Sequence, residues 1–206
     1  MDEHPTISLL SETIVHEPNM SATRVTVGLQ FRNEGDACVA QMGFPTLRMP
    51  GPGYHQVRDF SVAADGQPIE ARQAEEVQPL QLGDHERSCL WHLFEVPFAA
   101  GQDRALRVCY DEAREHYMWG SLAVPYVLQT GATWRGDVRD ISLEVRLGER
   151  RNYHRVVLAE REVNLDSSGP PADAVLHTEF DGGTMRWSIT DYDGSPGLVW
   201  LAAEMG

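Results

Sequence analysis

The sequence contains no lysine, so all 17 of its basic residues are arginine. That absence excludes a Schiff-base lysine, a Ser-Lys dyad and the phosphate-cradling lysine of a P-loop. Cysteine is scarce too: Cys38, Cys89 and Cys109 stand alone, with no Cys-x-x-Cys pair. An odd count leaves two readings open, one disulfide beside a free thiol or three buried reduced thiols. Long apolar runs are missing. None approaches the ~18 residues of a membrane span. The chain opens on Met1-Asp2-Glu3-His4-Pro5 without a signal peptide, a start that also fits an exported protein whose signal has been trimmed.

Positive charge is in short supply. With 31 acidic residues against 17 basic ones the net charge is −14. Such a field repels a phosphate backbone, which argues against nucleic acid, and it disfavours an anionic membrane surface. Cationic partners, bound cations or plain solubility remain. Linear catalytic signatures are missing as well: no Gly-x-Ser-x-Gly elbow, no His-Glu-x-x-His helix, no Gly-rich phosphate loop and no dinucleotide fingerprint. Triads and carboxylate pairs assembled in space leave no such trace, so these absences lower the case for an enzyme without closing it.

What the chain does have is strand periodicity. Val25, Val27, Leu29 and Phe31 fall on one face of a segment whose other face carries Arg24, Thr26, Gln30 and Arg32, the period-2 pattern of a half-buried strand. Asn33-Glu34-Gly35-Asp36 reads as a turn leading into a strand from Cys38 to Phe44. Ile7 to Val15 is an apolar, β-branched opening strand. Phe60 and Val62 precede Asp65-Gly66, a hairpin signal, with Ile69 beyond it. Leu90, His92, Phe94, Val96 and Phe98 share a face. Gly101 turns the chain into Leu106, Val108 and Tyr110. Ile141, Leu143, Val145 and Leu147 form another stripe, and Val156 to Leu165 reads as a strand. Val175 to Phe180, Asp181-Gly182-Gly183 and Met185-Trp187-Ile189 read as a hairpin, and Leu198 to Ala203 ends the pattern. Asp111 to Tyr117 is the one hint of helix, and twelve prolines oppose long ones. The expectation is a single all-β domain over residues 1–206: an antiparallel two-sheet β-sandwich of ten or more short strands, with a loop near 166–172 and at most one short helix. A barrel is the alternative.

Four clusters carry chemistry that a site could use. His85, Cys89 and His92 combine thiol and imidazole, the donors zinc prefers, but on a strand Cys89 and His92 point to opposite faces and His92 shares its face with Leu90 and Phe94. Asp191, Tyr192, Asp193 and Gly194 resemble the first half of a calcium loop, yet a third oxygen ligand before the glycine is missing and position twelve is Ala202. A β-turn rich in Asp and Gly explains that segment equally. Glu115, His116, Tyr117 and Trp119 form a polar-aromatic cluster whose rings suit stacking on a ligand, against the plainer reading that the aromatics cover a core edge. Arg150, Arg151 and Arg155, with Tyr153 and His154, form the basic patch, which either grips an anion or solvates a turn.

Several segments taken in order carry a resemblance. Leu10-Ser11-Glu12, then Phe31-Arg32-Asn33 with the Glu34-Gly35-Asp36 turn, then Met42-Gly43-Phe44-Pro45, and later Tyr126-Val127-Leu128-Gln129-Thr130-Gly131-Ala132-Thr133-Trp134-Arg135-Gly136 resemble a bacterial, usually exported family of unknown function, DUF4424. The resemblance implies an extracytoplasmic β-rich domain and supplies no catalytic residues. Trp134, bracketed by glycines, either plugs one end of the sandwich or stacks on a ligand.

Three functions follow in order. The first is a non-catalytic extracytoplasmic module that binds a protein or glycan at the cell envelope, which calls for a patch of exposed aromatics. The second is a hydrolase of glycan or peptide using two carboxyls ~5–10 Å apart, one with a raised pKa. The third is a zinc- or calcium-binding module.

Overall fold

The computed structural model describes residues 5–18, 22–47, 57–76, 78–82, 85–113, 121–127, 134–146, 153–159, 179–181, 184–192 and 198–205. The described residues contain no helix, and the chain is all-β. The strands are β1 (Ile7–Pro18), β2 (Ala22–Asn33), β3 (Cys38–Leu47), β4 (Val57–Ala64), β5 (Gln67–Ile69), β6 (Ala71–Gln73), β7 (Gln78–Leu82), β8 (His85–Phe98), β9 (Asp103–Ala113), β10 (Ser121–Val127), β11 (Val138–Arg146), β12 (Tyr153–Ala159), β13 (Glu179–Asp181), β14 (Thr184–Tyr192) and β15 (Leu198–Met205). Where the sequence hints at helix, Asp111 to Ala113 instead continue β9, held by pairing to β2 and, as far as Glu112, to β4. Residues 114–117 lie outside the described set, as do 160–165, 175–178 and the glycines of the last hairpin.

One large sheet runs β13-β14-β11-β1-β2-β9-β4-β5. A second has β8 between β3 and β6, with β7 also on β8, and a third runs β10-β15-β12. The large sheet is mixed rather than purely antiparallel, because β1 and β11 run parallel. Parallel neighbours need a long crossover, and here more than a hundred residues of chain separate the two strands.

The alternation in β2 is realised residue by residue: Thr23, Val25, Val27, Leu29, Phe31 and Asn33 are buried, and the residues between them are not. The same inner face collects Leu106, Val108 and Tyr110 from β9, Val62 from β4, and Ile141, Leu143 and Val145 from β11. The same core cluster holds Ala40, Met42 and Phe44 of β3 and Phe94, Val96 and Phe98 of β8. Edge-to-face contacts join the two sets, with Phe31 on Phe98 at 6.5 Å between centroids and Phe44 on Tyr110 at 5.7 Å. The outer face of the large sheet is wet and carries cross-strand ion pairs such as Arg24–Asp111 (3.0 Å) and Arg186–Glu144 (3.3 Å). Pairs this exposed add little each, and they serve solubility and register.

The β2–β3 turn does more than reverse the chain, since β2 pairs with β9 and β3 pairs with β8 in another sheet. Asn33, fully buried, fixes this corner. Its Nδ2 donates to the carbonyls of Asp36 (2.7 Å) and Ala99 (3.0 Å), and its Oδ1 accepts from the Gly35 amide (3.1 Å). The Asp65-Gly66 hairpin forms as expected, with φ of 48° and 80°, the two positive values a type I′ turn requires.

Candidate functional site

A β-bulge decides what reaches the interior from β1. Leu9 pairs with Phe31 and Ser11 with Gln30, so Leu10 is the extra residue. Beyond it the phase of the strand reverses. Glu12, Ile14 and His16 therefore face inward, on the same side as Ile7 and Leu9. A carboxyl and an imidazole thus enter the dry side of the large sheet.

Register gathers further polar groups at that end. His16 lies opposite Val25, which lies opposite Tyr110, and in the next row Thr23 lies opposite Glu112. Tyr126 of β10 completes the cluster. Its hydroxyl donates to Glu12 Oε1, bonding the third sheet to the first, and its ring meets His16 edge-on at 6.4 Å. Pro45 and Thr46 of β3, Val57 of β4, Tyr110 and Glu112 of β9, and Tyr126 and Val127 of β10 line a small cleft there. At its centre the cleft has room for about one water molecule.

Burial governs the electrostatics. Glu12 is 2% exposed, and desolvation raises its pKa from 4.5 to about 7 against the opposing pull of the Tyr126 hydrogen bond. His16 is 1% exposed, and desolvation lowers its pKa from 6.5 to about 4. Both tyrosines are pushed well above their ordinary range, first by burial and then by neighbouring carboxyls. Among the described residues, Glu12 Oε2, His16 Nδ1 and Thr23 Oγ1 have no hydrogen-bond partner. A neutral carboxyl and a neutral imidazole are the forms that such a seam tolerates at least cost.

The residues singled out from the sequence lie elsewhere. Cys89 and His92 are both buried on β8 but on opposite faces. His92 stacks on Phe60 at 3.8 Å and 10°, and burial lowers its pKa to about 4. Burial pushes the Cys89 thiol up to about 12. His85 begins β8 and Asp191 sits near the end of β14, with side chains outside the described set. Among the described residues no three His, Cys, Asp or Glu side chains group as metal ligands. Trp134 packs its ring on Phe31 at 4.7 Å, half-buried against the core. His116, Tyr117, Trp119 and Asp193 lie outside the described residues, as do Arg150 and Arg151. All three cysteines are free.

Sequence reasoning missed Glu12, His16, Thr23, Glu112 and Tyr126 as a group. The one available signal was Leu9-Leu10, two adjacent leucines where a strict alternation would place one.

No family model matches the chain, and no curated protein does. Among solved structures it is similar to a Legionella pneumophila protein that carries the provisional name of nutrient-binding protein. The two share 17% identity and a TM-score of 0.71 over 97% of this chain and 68% of that one. At that identity the likeness concerns the fold alone. It also aligns with an M1 zinc metallopeptidase from Deinococcus radiodurans (9% identity, TM-score 0.41, 96% of this chain, 42% of that one). A third match is the native leukotriene A4 hydrolase of Saccharomyces cerevisiae (12% identity, TM-score 0.47, 96% of this chain, 29% of that one).

Proposed function

We propose that the chain is a non-catalytic, extracytoplasmic β-sandwich module that engages a protein or glycan at the cell envelope through its surface. In this reading the large sheet and the β3–β8 sheet are the two stacked layers, and β10 closes one end. Among the described residues, the observation that carries it is the narrowness of the cleft lined by Tyr110, Glu112 and Tyr126. Small-molecule sites enclose roughly 300–1,000 Å3, whereas this one admits about one water. A nutrient or sugar has no room there. No helix among the described residues is long and apolar enough to cross a membrane.

The resemblance to DUF4424 supports the compartment, and the missing linear motifs support the absence of catalysis. Among the described residues Val39 is the one large apolar side chain standing exposed, at 60%. An apolar patch is therefore not what the described residues offer a partner.

A second reading, the carboxylate hydrolase, draws on one specific observation: Glu12 with its raised pKa stands near the cleft that Glu112 lines. One experiment separates the two. The full-length native protein is located by fractionation of its own cells, and the purified protein is incubated with glycan and peptide panels. Envelope location with no release of reducing ends or amines is the expected result. Cytoplasmic location, or hydrolysis abolished by Glu12→Gln or Glu112→Gln, would overturn the proposal.

A further inference from the structure

Glu12 and His16 sit on one face of one strand, buried together and joined through a single tyrosine. Tyr126 bonds the first and lays its ring against the second. Among the described residues, the ion pairs of the large sheet lie on its wet side or at its turns, and none joins Glu12 or His16. The groups facing the pair can be named element by element. From β9 come Tyr110 and Glu112, and from β10 comes Tyr126. From β8 comes His92, which stacks on Phe60 of β4. β2, β3 and β11 present aliphatic, aromatic or hydroxyl side chains: Thr23, Val25 and Val27; Phe44 and Thr46; Ile141, Leu143 and Val145. Among the described residues a charge on Glu12 or His16 has no ion-pair partner, and burying one unpaired is costly.

In the unfolded chain near pH 5.5 the carboxyl is ionised and the imidazole is protonated. We propose that folding transfers one proton from His16 to Glu12, leaving both side chains uncharged in the seam, so that the pH dependences of the two groups cancel. The balance is one for one: the imidazolium gives up a proton, the carboxylate gains one, and solvent supplies and keeps none.

Each half alone would make stability depend strongly on pH. A carboxyl whose folded pKa is raised favours folding fully below its unfolded pKa, and that favour is lost as pH rises from 4.5 to about 7. An imidazole whose folded pKa is lowered does the reverse, losing stability as pH falls from 6.5 to about 4. Summed, the slopes cancel between pH 4.5 and 6.5, and the pair's combined effect on the unfolding constant varies by roughly twofold from pH 4 to pH 7. His92 adds its own acid-side loss, and Glu112 and the tyrosines act equally in every variant below, so differences against the parent remove them.

The test is urea unfolding of the full chain from pH 4 to pH 7 for the parent, Glu12→Gln and His16→Phe. Relative to the parent, Glu12→Gln should gain in stability toward neutral pH. Its unfolding constant should move by roughly 100-fold across the range, destabilised on the acid side. His16→Phe should show the mirror image, destabilised toward pH 7 by roughly the same factor. Curves that run parallel to the parent in both variants would overturn the proposal. If either variant fails to fold, imidazole nitrogen-15 spectra of the native parent decide the matter. A neutral His16 at pH 5 is expected, and an imidazolium there overturns it.

Discussion

Deleting Leu10 should leave the fold standing. Leu10 is the extra residue of the bulge in β1, so its removal joins Leu9 to Ser11 and restores plain alternation. Ile7 and Leu9 still point in, Ser11 points out, and Glu12, Ile14 and His16 keep their places. Pairing with β11 starts only at Ser11 and is untouched. The loss is limited to the half-buried Leu10 side chain, about 1 kcal/mol. The comparison is deletion of Thr26 in β2, where no bulge stands ready to absorb the change. One half of that strand must then turn over. If the C-terminal half does so, Val27, Leu29 and Phe31 leave the core. At ~2 kcal/mol each that is about 6 kcal/mol, comparable with the whole stability of a typical domain. Urea unfolding followed by tryptophan fluorescence reads both variants. A Leu10 deletion as damaging as the Thr26 deletion would mean that the phase of β1 does not reverse where the structure puts it.

Two further predictions rest on single contacts. A Cβ at Gly43 would lie 2.8 Å from Trp91 Cε3, so Gly43→Ala should cost ~1–3 kcal/mol through overpacking, measured as a lower urea midpoint; an unchanged midpoint would show that the indole yields freely. Alkylation of the native protein at pH 8 should label Cys38 and leave Cys89, whose thiol is buried and titrates near 12, unmodified until the chain unfolds; rapid native labelling of Cys89 would contradict its placement.

The stripes legible in the sequence were those where two regular strands share one buried face. Val25 to Phe31, Leu106 to Tyr110 and Ile141 to Val145 needed only the pleat and a dry side. Asp65-Gly66 was legible because a type I′ turn asks for those residue types. The site was not legible, for three physical reasons. A bulge changes the phase of a strand by one residue, and composition carries almost no mark of it beyond Leu9-Leu10. Tyr126 reaches Glu12 from 114 residues away, a neighbourhood that only the sheet order creates. The parallel pairing of β1 with β11 is likewise a matter of topology and not of local pattern. The clusters that did stand out in the sequence, such as Cys89 with His92, were close along the chain but divided by the pleat.

The most direct measurement is the carbon-13 titration of the Glu12 carboxyl in the native protein, assigned by the signal that Glu12→Gln removes. A midpoint near 7 is expected for a carboxyl held in the seam under Tyr126. A midpoint near 4.5, the ordinary glutamate value, would place Glu12 in water and contradict the inward phase of β1, the polar cluster and the proton exchange together.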